Sequence, residues 1–237
     1  MKFGIVLPTH CYNQQRMFWA IAAFQSLAKT LQPEKRPLLL LIPHKDSLLD
    51  KEPHLLYQPP AFQNEIVQQP DSIGGTEQTL AWGTEQVFLN PDISHCVWMG
   101  DDALFNPHWL QQLENLILRH SEAKAWTVYR SAHVRYHAPL MTDSSSGDVL
   151  CRSLCGHGMT FTRWEWQEWG IHWSQGQRWP SVSGGNTLDL HHACNRPGDR
   201  WSTARSYVQH TGTAGVNVTP GVPEFAIDFV GETNAYL

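Results

Sequence analysis

No apolar run in this chain approaches the ~20 residues that a membrane-spanning helix needs, so no transmembrane span is expected. Basic residues are scarce: 17 Lys and Arg stand against 22 Asp and Glu, a formal net charge of −5. A protein whose main work is gripping phosphate backbones carries a basic excess, so that class is disfavoured, although a small basic groove is still allowed. Arg130, Arg135, Arg163, Arg178, Arg200 and Arg205 are dispersed and form no basic run. Cysteine is sparse and odd in number. The five, at positions 11, 96, 151, 155 and 194, lack the spacing of a disulfide framework, and reduced thiols in a cytoplasm are the simplest reading. The opening stretch from Met1 to His10 has too short an apolar segment for a secretory signal and reads as a first strand.

What is present is a globular chain of 237 residues, 41% hydrophobic and 16% charged, and so neither a disordered nor a fibrous composition. Lys2 to Pro8 is a β-branched apolar run ending in Pro-Thr. Positions 14–30 then place Met17, Ala20, Ile21, Phe24, Leu27 and Ala28 on one helical face. Leu38 to Ile42 is uniformly apolar and five residues long, which predicts a strand covered on both faces. Strand, helix and strand in this order make a βαβ unit, so the expected class is α/β with a mostly parallel central sheet flanked by helices. Positions 46–71 are polar and read as an excursion along one sheet edge. Helices are expected over 72–90 and 107–120, strands at His95 to Met99, Ala125 to Tyr136 and Gly156 to Phe161, and a loop at 141–148. No linker is evident, so we read 1–237 as one domain in two halves, 1–110 and 111–237.

The strand His95 to Met99 runs into Gly100, Asp101 and Asp102. Ligands of open parallel sheets bind at the carboxyl ends of strands. Two adjacent carboxylates there must repel or share a cation, and oxygen ligation of this kind suits Mg²⁺ or Mn²⁺. The plainer alternative is that Asp102 caps the next helix and Asp101 is solvated.

The surroundings of the pair narrow the choice. Residues 97–110, with the acidic pair, four further residues, Pro107 and a helix, resemble the acidic motif of family 2-type glycosyltransferases with the GT-A fold. Ile5 to Thr9 is similar to that family's opening strand and its nucleotide-facing Pro-Thr. Gly156 to Arg163 resembles its acceptor-side strand, and Gly170 the glycine closing the next helix. Leu188-Asp189-Leu190 resembles the Asp-Leu of a late helix, and Ser206 to Gly212 a strand ending in His. The resemblance implies that Asp102 and His210 ligate a divalent metal, Mn²⁺ or Mg²⁺, under a nucleotide-diphosphate sugar. It implies that Asp101, with Pro8, Thr9, Asp46 and His157, borders the bound donor. Such a cation neutralises the diphosphate as the glycosidic bond breaks.

The sequence also departs from that pattern. An inverting transferase needs a carboxylate to take the acceptor hydroxyl's proton. The family places a Glu-Asp pair shortly before the Asp-Leu, and here Asn186-Thr187 stand there. Asp189 is the nearest remaining carboxylate and our candidate base, with Glu165 and Asp143 as outsiders. Asp189 also fits a plain helix-start role. The expected function is therefore transfer of a sugar from a nucleotide-diphosphate donor to a hydroxyl acceptor on a glycan, lipid, protein or modified nucleic-acid base. The rival is a non-catalytic relative that binds a nucleotide sugar or glycan, and a nucleotidyltransferase ranks third. A zinc reading of Cys151, Cys155, His157, His191, His192 and Cys194 lacks a usual ligand spacing. In the Trp-rich stretch, Trp166 and Trp169 share a helical face while Trp164 points elsewhere, so one set is expected in the core.

Overall fold

The structure is a computed structural model that describes residues 1–31, 35–51, 59–71, 76–131, 139–152, 154, 157–168, 199–211, 226 and 228–231. Strand β1 (Phe3–Thr9) pairs in parallel with β2 (Leu38–Pro43), with Ile5 opposite Leu39 and Leu7 opposite Leu41. Side chains alternate between faces along a strand. Ile5, Leu7, Leu39 and Leu41 accordingly enter one hydrophobic cluster, while Val6, Leu38, Leu40 and Ile42 enter another. Both faces are covered, which is why β2 is apolar throughout. Helix α1 (Gln14–Ala28) connects the two strands and packs Ala20, Ala23, Phe24 and Leu27 on the first face. Asn13 caps it, its Oδ1 accepting from the Arg16 backbone N–H at 2.9 Å.

After β2 come α2 (Leu48–Lys51) and β3 (Gln63–Ile66), then α3 (Thr76–Leu89) and β4 (His95–Trp98). Helix α3 lies so close to the sheet that a Cβ at Gly83 would sit 2.5 Å from Val6 Cγ1. Strand β5 (Ala103–Phe105) leads into α4 (Trp109–Arg119), whose Leu110, Leu113, Leu116 and Ile117 are buried against the first face. Each such side chain contributes roughly 1.5–3 kcal/mol relative to an exposed one. The remaining elements are β6 (Ala125–Thr127), β7 (Pro139–Thr142), β8 (Val149–Cys151), β9 (Thr160–Thr162), α5 (Arg163–Glu168), β10 (Arg200–Ser202) and β11 (Val208–His210).

The large sheet has the order β3-β2-β1-β4-β9-β6-β10-β8-β7, and β11 pairs separately with β5. Tracing the pairings outward from β1, seven of the nine strands point one way and β9 and β8 oppose them. This is the α/β class with a mostly parallel sheet that the sequence implied. No helix among the described residues is long and apolar enough to cross a membrane.

Some expectations need correction. The polar stretch at 46–71 holds an edge strand, β3, whose residues are half-buried or exposed and so leave no apolar signature. The loop expected at 141–148 is in part a hairpin. Met141 and Thr142 belong to the exposed strand β7, and the turn proper is closed by Gly147 N–H donating to Asp143 O at 2.8 Å. Gly147 has φ +75°, a conformation that favours glycine. The strand expected over 125–136 is β6, ending at Thr127, and its last residues lie outside the described ones.

Candidate active site

The site forms where the carboxyl ends of β1 and β4 meet. Beyond β4 the chain turns through Gly100, and Asp101 and Asp102 both fold inward, 4% and 6% exposed. The turn is tightly determined: a Cβ at Gly100 would lie 2.5 Å from His157 Cε1 and 2.7 Å from Asp102 Oδ1. His157 occupies the turn before β9, where Gly158 N–H donates to Trp98 O at 2.7 Å. His210 ends β11, and the pairing of β11 with β5 sets it opposite Ala103, one residue past Asp102. The backbone and hydroxyl of Thr211 both donate to Asp102 O at 2.8 Å.

These connections gather Asp102, His157 and His210, whose potential ligand atoms all lie within 4.8 Å of one another. His210 Nε2 is 3.1 Å from Asp102 Oδ2, and the His157 and His210 rings stand 4.3 Å apart. His157 Nδ1 is buried with no hydrogen-bond partner. An orphaned imidazole nitrogen beside a carboxylate and a second imidazole is a donor set suited to a divalent transition metal such as Mn²⁺. The residues present therefore fit a cation.

Arg16, in the first turn of α1, spans the acidic pair. Its Nη2 is 2.5 Å from Asp101 Oδ1 and its Nη1 is 2.6 Å from Asp102 Oδ2. The His10 backbone N–H donates to Asp101 Oδ2 at 3.0 Å. Burial, reinforced by the neighbouring Asp102 charge, pushes the Asp101 carboxyl up, against the opposing pull of Arg16. Burial acts the same way on Asp102, but His210, His157 and Arg16 outweigh it and hold that carboxyl below the usual range. His157 is pushed down to about 4 by burial and by His210, and so is neutral near pH 7. A neutral ring is the form in which imidazole binds metal.

The tails of β1 and β2 form the adjoining rim. His44 N–H donates to Thr9 O at 2.8 Å, and the His10 and His44 rings stack 4.1 Å apart. Pro8 is half-buried, and Thr9 is buried with its Oγ1 unpartnered. Asp46 stands on this rim with its side chain 74% exposed, 3.7 Å from His44 Nδ1.

Of the residues singled out in the sequence, Asp101, Asp102, His157 and His210 thus come together, with Thr9 and Pro8 on the neighbouring strand end. Asp189 and Asn186-Thr187 lie outside the described residues, as do Cys155, His191, His192, Cys194 and Gly170. Glu165 is tied to Lys124 Nζ at 2.6 Å, and Asp143 is bonded within its turn to Ser145. Trp166 packs in the core against Trp98 and Phe161, while Trp164 is 57% exposed under Lys124. Arg16 is the residue that sequence reasoning missed. Its signal was positional: it lies in the first helical turn after the opening strand, next to the Asn13 cap.

The mostly parallel sheet, with an acidic pair after its fourth strand, is GT-A-like in fold. The chain is similar in structure to S. aureus TarS 1–349 in complex with UDP-GlcNAc, with a TM-score of 0.61 and 14% identity over 91% of this chain and 60% of that one. TarS 1–349 in complex with UDP gives a TM-score of 0.58 at 14% identity, over 88% and 60%. A longer TarS chain gives 0.62 at 15% identity, over 90% of this chain and 37% of that one. This chain therefore spans 60% or less of the proteins it resembles. No family model matches the sequence, and no curated protein does.

Proposed function

We propose that the chain is a metal-dependent glycosyltransferase that moves a sugar from a nucleotide-diphosphate donor to a hydroxyl acceptor with inversion. The observation that carries this reading is the group of buried Asp102, half-buried His157 and buried His210 beside Asp101, with its orphaned His157 Nδ1. It is supported by the likeness in fold to a protein that binds UDP-GlcNAc, a nucleotide-diphosphate sugar.

Asp102, His157 and His210 would hold Mn²⁺ or Mg²⁺, which when bound supplies charge neutralisation for the diphosphate leaving group. Asp101, fixed by the His10 N–H, lines the same cleft and faces the donor. The unpartnered Thr9 Oγ1 offers a hydroxyl to the nucleotide, Pro8 flanks it, and the exposed Asp46 stands where a carboxylate could accept from a nucleobase or ribose. Asp189 is our candidate for the base that takes the acceptor hydroxyl's proton. Acceptors of the class are glycans, lipids, proteins or hydroxylated nucleic-acid bases. The buried free thiols of Cys11, Cys96 and Cys151 suit a cytoplasmic enzyme.

A second reading rests on Asn186-Thr187, which stand where the resembled family carries acidic residues. On that reading the same site binds a nucleotide sugar or a glycan without turnover. Calorimetric titration with a panel of nucleotide-diphosphate sugars, with and without Mn²⁺, tests the first reading. Binding that requires Mn²⁺ and selects one nucleotide is expected, and absence of binding to every donor overturns it. Acceptor screens with the donor so identified then separate turnover from binding alone.

A further inference from the structure

We propose that Arg16 is an internal counter-cation of the donor site, bridging Asp101 and Asp102 until a metal-borne diphosphate arrives and then turning onto the diphosphate itself. This inference rests on the metal reading given above. Two carboxylates with side chains 5% and 8% exposed, adjacent in sequence and in space, cannot both stay charged without a cation near them. The Arg16 fork supplies it, one terminal nitrogen to each carboxylate.

The hold is incomplete in an informative way. Arg16 Nε is buried without a hydrogen-bond partner, so the guanidinium is retained by the two carboxylates that it neutralises. Once a divalent cation takes Asp102, the fork keeps Asp101 alone, and the arm that held Asp102 is free. Trp19, one turn along α1, already lies beneath the guanidinium at 5.7 Å and offers it a face to slide across. A planar guanidinium also matches phosphate oxygens in a bidentate way, which makes the diphosphate its natural next partner.

Charge counting gives the consequence. Two carboxylates and one guanidinium leave the pocket at −1, and a bare dication would reverse that to +1. The diphosphate removes the excess. The wild-type protein should therefore bind bare Mn²⁺ weakly and Mn²⁺ with UDP strongly. With glutamine at position 16 no guanidinium opposes the metal, which has only to displace the proton that the two carboxylates then share.

The test is titration of Mn²⁺ into the wild type, Arg16→Gln and Arg16→Lys, each with and without UDP, read by calorimetry and by loss of the free Mn²⁺ electron paramagnetic resonance signal. Arg16→Gln should bind bare Mn²⁺ at least about tenfold more tightly than wild type, yet gain less affinity from UDP. Its thermal midpoint should fall without metal and recover with Mn²⁺. Lysine keeps the charge but cannot bridge both carboxylates, so a smaller gain of about threefold is expected. If Arg16→Gln does not fold, the lysine variant decides by the same comparison. Bare-metal affinity equal to or below wild type, in a protein that still binds Mn²⁺ with UDP, overturns the role of Arg16 alone. Failure of all three proteins to bind Mn²⁺, with or without UDP, overturns the metal reading and the role of Arg16 with it.

Discussion

His210 Nε2 lies 3.1 Å from Asp102 Oδ2, joining the end of β11 to the turn beyond β4. The pairing of β11 with β5 makes this contact, and Thr211, bonded twice to the Asp102 carbonyl, locks it. The site is thus fixed by backbone on both sides. Substitutions within it should change ligand binding more than they change the fold.

Asp102→Ala removes the carboxylate at the centre of the cluster but leaves its backbone carbonyl, and therefore the Thr211 contacts, in place. We expect Mn²⁺-dependent donor binding to fall by about 100-fold or more, beyond the 10–100-fold that loss of an outer partner costs. The far-ultraviolet circular dichroism should stay unchanged. Unaltered donor affinity with Mn²⁺ in a folded variant would falsify the assignment of Asp102.

Gly100→Ala places a methyl group 2.5 Å from His157 Cε1 and 2.7 Å from Asp102 Oδ1. Both side chains must give way, so metal and donor affinity should drop by about tenfold while the thermal midpoint moves by no more than a few degrees. A variant that binds Mn²⁺ as tightly as wild type would show that His157 needs no such placement.

His95 is buried between Phe3 and Trp126, and burial, with the nearby terminal amine, holds it down to about 4. The unfolded chain takes up this proton near pH 6.5 and the folded chain does not. Stability from the neutral ring is therefore full above about pH 6.5 and is lost as pH falls toward 4, on the order of 3 kcal/mol across that window. His157 shifts in the same direction, so replacing His95 isolates its own share. Urea midpoints at pH 7.5 and pH 5 should differ less in His95→Gln than in wild type. An identical difference in the two proteins would remove His95 from the account.

Gly83→Ala probes the seat of α3 on the sheet. The added Cβ would stand 2.5 Å from Val6 Cγ1 and 2.6 Å from Ile42 Cδ1, both in the buried core. Alanine favours the helix by about 1 kcal/mol, but the overpacking costs roughly 1–3 kcal/mol. A lower thermal midpoint is expected, and a raised one would mean that the helix yields freely.

Much of the fold was legible in the sequence. Five unbroken apolar residues at 38–42 marked a strand covered on both faces, and the helical spacing at 14–30 marked its crossover, because burial on two faces leaves no room for polar alternation. The acidic pair at 101 and 102 was legible for a similar reason. Adjacent carboxylates directly after a buried strand have few roles open to them. Strands β3 and β7 were not legible, since exposed edge strands bury too little to impose an apolar pattern.

The sequence by itself therefore determined the α/β class, the order of the first elements and the position of the carboxylates, because each depends on local periodicity or on neighbours along the chain. The tertiary structure decided which distant side chains meet those carboxylates. The match of Arg16 to both of them depends on how α1 lies against β5, where the Phe105 N–H donates to Ser26 Oγ at 3.1 Å. The placing of His157 depends on the close approach at Gly100, and that of His210 on the pairing of β11 with β5. Such contacts follow from packing between remote segments, and no spacing along the chain encodes them.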